Sequence, residues 1–209
     1  MRIRITFSKA QAMQYVGHLD LHRSWERTFR RSCIPLAYTQ GFHPQPRLNL
    51  ACALPLGFTS QCEVLDAWLE QDIPLAEIRE ALSRALPPGL EIHTLENIDL
   101  HAPALQTQVT SAVYLITFFD AIPDLDDRLH KLILAEHLPR QRRNKPYDLR
   151  PLIENAGASY QNASGKDELR VQLAAREAAT GRPEELLDEL GIKFEATHVH
   201  REQLIINFN

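Results

Sequence analysis

Residues 23–31 carry Arg23, Arg27, Arg30 and Arg31, and the segment that follows reads GFHPQPR from Gly41 to Arg47. Guanidinium groups in this density suit a polyanion, because each can hold a phosphate oxygen and a row of them can follow a phosphate backbone. Phe42, His43 and Arg47 lie in a turn stiffened by Pro44 and Pro46. A stiff loop with an aromatic ring, an imidazole and a guanidinium can stack on a nucleobase or hold a phosphate. The plainer alternatives are a solvated helix face and a structural crossover with Phe42 packed inward. Thr28 to Cys62 contains no Asp or Glu in a chain that has 27 of them, which weakens the first alternative. A third basic group, Arg140, Arg142, Arg143 and Lys145, puts four cations into six positions of what reads as an irregular loop.

Histidines offer less. His18 and His22 are spaced to share a helix face, but no HExxH, no CxxC and no third ligand accompanies them. His18 and Asp20, at a helix start, read better as caps, Asp20 favouring the positive helix end. His198 and His200 alternate on an expected strand and make only half a metal site. There is no P-loop, no GxGxxG after a strand, no GxSxG and no CxxxCxxC. No cofactor is therefore expected in this chain, and no catalytic set is assigned.

The bulk numbers agree with a folded recognition protein. Hydrophobic residues are 44% and charged residues 24% of the 209, an ordinary globular composition. Residues 1–62 hold eight Lys/Arg against Asp20 and Glu26, a net charge of +6, which leaves −10 for the remainder of a chain whose total is −4. A basic third in an acidic whole fits an anionic partner bound at one place. No apolar run reaches the ~18–20 residues of a membrane span, and MRIRITFSK has no apolar signal core. Cys33, Cys52 and Cys62 are odd in number and widely spaced. Reduced thiols in the cytoplasm are the expectation.

These residues must be positioned by elements that the hydropathy pattern marks out. Arg2–Lys9 alternates as a half-buried strand, and Leu21, Trp25, Phe29 and Cys33 recur every four residues as the apolar stripe of a helix over about 19–32. Extended segments are expected at 36–38, 47–54 and 63–69, a helix from Pro74 to Pro87, and a strand over 90–98. A linker over 99–109 follows. The second half reads as a strand over 110–119, a helix over 123–137, and the basic loop over 138–148. A hairpin of 153–161 with 169–175, a helix over 183–190 and a strand over 194–207 complete it. Each half then has the order βαββαβ, so the expected fold is α+β with two tandem ferredoxin-like halves and antiparallel sheets, divided 1–104 and 105–209. CEVLDAW against ELRVQL, and LAEIREAL against PEELLDEL, are offset by roughly 105 residues, as a duplication would leave them.

FSK near the start, YVGHLDLHRSWERTFRR, IPLAYTQGFHPQPRLNLACALPLGFTSQCEVLD and YDLRPLI together resemble the radical-SAM-linked family, a bacterial domain without an established activity. The resemblance spans the chain and is densest over residues 5–66. It implies association with a radical-SAM protein, here supplied in trans, and it assigns no catalytic residue. The combined expectation is a non-catalytic module that presents RNA, tRNA or rRNA, to such an enzyme. Phosphates would run along Arg23, Arg27, Arg30 and Arg31, and Phe42, His43 and Arg47 would meet nucleotides. Arg140, Arg142, Arg143 and Lys145 would close from the second half. A protein-docking subunit that never touches RNA, and an RNA-processing or RNA-modifying enzyme using His18, Asp20 or His43, are the alternatives.

Overall fold

The structure is a computed structural model and describes residues 1–157 and 160–207. The chain divides into two compact units, Met1–Val109 and Thr110–Asn209. Both mix helices with mainly antiparallel strands, an α+β architecture.

The first unit contains β1 (Arg2–Lys9), α1 (His18–Ser32), β2 (Leu48–Leu50), β3 (Thr59–Trp68), α2 (Leu75–Ala85), β4 (Leu90–Ile98) and the single turn α3 (Leu105–Gln108). Its strands lie in the order β4-β1-β3-β2, each antiparallel to its neighbour. The register sets Ile3 opposite Ala67 and Ile5 opposite Leu65. Because successive side chains alternate across a sheet, these four share one face. Leu21, Trp25 and Phe29 of α1 and Ile78 and Leu82 of α2 pack on it as one core. Trp25 meets Phe7 edge-on at 4.8 Å between ring centroids, a favoured aromatic geometry.

The opposite face is charged. Arg2 faces Trp68 and Arg4 faces Asp66 across the β1–β3 ladder. The fully buried Asp66 carboxylate accepts from Arg2 Nη2 at 2.6 Å and from Arg4 Nε and Nη2 at 2.7 and 2.9 Å. Arg2 also donates to the carbonyls of Ala102 and Pro103. The segment expected as a linker is bonded to the sheet through Arg2, and part of it coils into α3.

Three local expectations need correction. Gly17, not His18 or Asp20, occupies the N-cap of α1, and no side chain caps it. Cys33 belongs to the fourfold stripe by spacing, yet it is exposed and left-handed at φ 59°, closing the helix. Of the extended residues 36–38 and 47–54, only Leu48–Leu50 forms a strand, and Leu36 and Tyr38 make single bridges to Leu69 and Pro46. Pro35, Pro44, Pro46 and Pro55 remove the donors that a longer ladder would need.

The second unit holds β5 (Val109–Phe118), α4 (Leu125–Leu134), β6 (Pro139–Arg142), β7 (Lys145–Asp148), β8 (Ile153–Ala156), β9 (Tyr160–Gln161), β10 (Asp167–Arg176), β11 (Ala179–Thr180), α5 (Pro183–Glu189) and β12 (Thr197–Ile206). β10 is flanked by β5 on one side and by the short β9, β8 and β11 in succession on the other, and β12 lies beyond β5. The strand expected over 153–161 is two pieces, β8 and β9, and residues 158–159 of that span lie outside the described residues. α4 is shorter than the 123–137 expected, and Phe194–Ala196 is a single 3-10 turn before β12. The basic segment is not irregular: β6 and β7 form a hairpin of their own. Its two-residue turn, Arg143-Asn144, has both φ values positive, at 51° and 63°, as a primed hairpin turn requires.

Candidate nucleic-acid interface

α1 is amphipathic in the strict sense. Leu21, Trp25, Thr28 and Phe29 are buried, whereas Arg23, Arg27, Arg30 and Arg31 are exposed. Arg23 pairs with Asp20 at 3.1 Å in open solvent, an interaction worth under ~1 kcal/mol that a phosphate can displace. Arg31 donates to the Ala85 carbonyl at 2.5 Å, tying α1 to the end of α2 while keeping its charge at the surface. The side chains of Arg27 and Arg30 make no hydrogen bond or ion pair among the described residues. Like charges along one helix face repel, and the Glu26 carboxylate, on the same helix, bonds neither of them.

The GFHPQPR turn is braced at its base. Thr39 N–H donates to the Gln45 carbonyl at 2.9 Å, Gln45 N–H to the Thr39 hydroxyl at 3.0 Å, and Arg47 N–H to the Ala37 carbonyl at 2.8 Å. Beyond this stem, Gln40 to Pro44 are all exposed, and Phe42 is at 102% of its reference exposure. The reading in which Phe42 packs inward is overturned. A ring held out on a fixed base loses little freedom when something stacks on it. His43 stands exposed beside it. A groove of about 300 Å³ between α1 and residues 34–38 is lined by Arg30, Tyr38, Glu26, Cys33 and Glu70, so two carboxylates outnumber its one guanidinium.

Arg47 is separated from the helix arginines. Its guanidinium lies 4.8 Å from the centre of the Trp68 ring, the ring that Arg2 approaches at 4.6 Å. Trp68 shares the sheet face of Arg2 and Asp66, turned away from α1. Sequence reasoning missed Trp68 as the ring that Arg47 and Arg2 both approach, and Asp66 as the partner of Arg2. The signal was available in the pairs Arg2/Arg4 and Asp66/Trp68, which repeat a polar or aromatic side chain every second residue of their strands.

In the second unit the arginines have partners. Arg140 donates through Nε to Glu189 at 2.8 Å and pairs with Asp188 through Nη1. Arg142 meets Glu185 at 2.6 Å, bonds the Thr180 carbonyl at 3.1 Å and lies over the Tyr147 ring at 4.8 Å. Burial disfavours the charge of both, but the carboxylates outweigh it and both pKa values are raised. Of the four expected cations, only Arg143 and Lys145 stand exposed with no side-chain bond among the described residues. Asp148 fixes the base of this hairpin: it accepts from the Leu138 and Arg150 amides at 2.8 and 2.9 Å and contacts His137 at 2.8 Å. Those bonds, the Leu138 amide foremost, hold its carboxyl down at about 2.

The histidines form no centre. His22 Nε2 lies 3.2 Å from the Leu48 carbonyl, joining α1 to β2, and burial lowers the pKa of His198. Among the described residues, no three His, Cys, Asp or Glu side chains converge as a metal site.

Fold and surface together define an α+β protein with a cationic helix and an exposed aromatic loop in its first unit. The chain belongs to an uncharacterised protein family conserved in bacteria, DUF2344, whose model matches residues 2–183. No curated protein matches it. Among solved structures, one titled "Crystal Structure of a Cbf5-Nop10-Gar1 Complex" is similar at 10% identity and a TM-score of 0.48, over 97% of this chain and 48% of that one. The chain thus spans about half the length of the chain it matches there. Among the described residues, no helix is long and apolar enough to cross a membrane.

Proposed function

We propose that this protein is a non-catalytic RNA-binding module that presents RNA, tRNA or rRNA, to a radical-SAM modification enzyme supplied in trans in the cytoplasm. The observation that carries the RNA reading is that exposed Arg27 and Arg30 on α1, whose side chains form no ion pair among the described residues, share a unit with a fully exposed Phe42 on a braced loop. Phosphates follow Arg23, Arg27, Arg30 and Arg31, and Phe42 and His43 stack on bases. Arg47, held on Trp68, serves as a fixed anchor at the root of that loop. Arg140 and Arg142 leave the interface, because their carboxylate partners already neutralise them.

The radical-SAM partner rests on the sequence resemblance alone. The tandem ferredoxin-like reading is supported by the shared strand orders, β4-β1-β3-β2 in one unit and β12-β5-β10-β8 in the other. One observation favours the protein-docking alternative. Tyr15 just before α1, Leu19 in its first turn, and Leu56 are 58–77% exposed, apolar surface that RNA does not need.

The test is RNA affinity measured against salt concentration. Wild type should lose affinity steeply as salt rises, with a slope near −0.7 per phosphate contacted on a single strand. Arg27→Glu with Arg30→Glu should bind at least tenfold more weakly at low salt and show a shallower slope. Equal binding by wild type and the double variant would discard the proposal.

A further inference from the structure

The second unit contains a cavity of about 550 Å³ between the β6–β7 hairpin and the β10–β11 turn. Arg143 and Lys145 enter it from the hairpin and Arg182 from the residue before α5. None of these three makes an ion pair or side-chain hydrogen bond among the described residues, and Arg182 lies within electrostatic reach of Glu184. Asp148 is the one carboxylate in the lining, and it is already engaged by two backbone amides and His137.

The rest of the lining is of another kind. Tyr147 is fixed by Arg142, which reaches its hydroxyl at 3.3 Å and covers its ring. Arg142 is in turn held by Glu185 and the Thr180 carbonyl. Pro146, Leu152, Ala178 and Ala179 supply apolar wall. Three cations, two from the hairpin and one from the segment before α5, share the cavity with an immobilised aromatic and small apolar residues, the combination that a ligand carrying both a phosphate and a flat ring requires. The volume falls in the range of small-molecule sites, ~300–1000 Å³.

We infer that this cavity binds a nucleotide through Arg143, Lys145 and Arg182, its base lying along the Tyr147 wall. A free nucleoside monophosphate and the 5′-phosphorylated end of an RNA chain present the same chemistry. The inference is independent of the α1 interface, since it involves neither α1 nor the Gly41–Arg47 loop.

The experiment is amide NMR titration of the full chain with AMP, with 5′-phosphorylated and 5′-hydroxyl tri-adenylate, and with adenosine. Saturable shifts at Lys145, Ala179 and Arg182 are expected with the phosphorylated probes, at least tenfold weaker with adenosine and the 5′-hydroxyl RNA. Arg182→Glu, and the gentler Lys145→Gln where melting curves show the former to be unfolded, should weaken AMP binding at least fivefold. Arg27→Glu with Arg30→Glu should leave it unchanged. Tighter binding of AMP than of the phosphorylated trinucleotide assigns the free nucleotide, and the reverse order assigns the RNA end. Equal shifts with AMP and adenosine, no saturation at millimolar AMP, or wild-type binding by both variants would overturn the inference.

Discussion

Both units carry a dense run of arginines, and the chain treats them oppositely. On α1, Arg27 and Arg30 face solvent with no carboxylate bonded to them among the described residues. On the β6–β7 hairpin, Arg140 and Arg142 are locked by Asp188, Glu189 and Glu185 from α5. The buried pair Arg2 and Arg4 on Asp66 is the extreme case of the second treatment. A positive charge that the fold neutralises is structural, and one that it leaves open is available to a partner. Counting arginines in a sequence does not separate the two.

The contrast can be broken by mutation, beginning with the most heavily committed charges. Asp66→Asn removes the carboxylate that two buried guanidiniums share and should destabilise the protein by about 3–5 kcal/mol, measured by chemical denaturation. Phe42→Ala should leave stability unchanged, because the side chain packs on nothing, yet weaken RNA binding by about 1–3 kcal/mol if one base stacks there. Glu185→Gln strands Arg142 in a partly exposed setting, so a smaller loss of about 1–2 kcal/mol in stability is expected, with no change in RNA affinity. Arg27→Ala should shift stability by no more than about 0.5 kcal/mol. If Arg27→Ala proved as destabilising as Glu185→Gln, the distinction between open and committed arginines would fail.

A pH measurement sharpens the same contrast. Asp148 has its carboxyl held at about 2, against an ordinary 3.8, by the Leu138 and Arg150 amides and His137. A depressed carboxyl stabilises the fold above its unfolded pKa. Its contribution is therefore complete above about pH 4 and is lost as pH falls from there towards 2. Acid titration of Asp148→Asn against wild type should show the difference in stability shrinking through that window.

Much of this was written in the sequence and some was not. The stripe Leu21/Trp25/Phe29 identified the buried face of α1, and with it the outward direction of Arg23, Arg27 and Arg30, because a helix has one period and a soluble one has one dry side. The hairpin at 139–148 was illegible: PRQRRNKPYD has neither alternating apolar residues nor an Asn-Gly turn. What makes it a hairpin is the left-handed Arg143-Asn144 pair together with side chains some 40 residues away, Glu185 and Asp188. Arg47 was misplaced for a related reason. The turn suggested that it stood with Phe42, whereas its position is set by Trp68, across a ladder that only the fold assembles. Arg182 lay in no motif at all, and became noticeable only once the hairpin and the β10–β11 turn had enclosed a cavity beside it.

Cys33 has a practical consequence. It ends α1 in the left-handed region at φ 59° and is exposed, where a glycine would be the undemanding choice, so Cys33→Gly should stabilise the protein by up to about 1 kcal/mol. The other two thiols, Cys52 and Cys62, are half-buried. A maleimide should therefore modify Cys33 first, three residues past Arg30. A fluorophore attached there would sit at the edge of the proposed RNA path, giving the native chain an optical reporter of occupancy without an added residue.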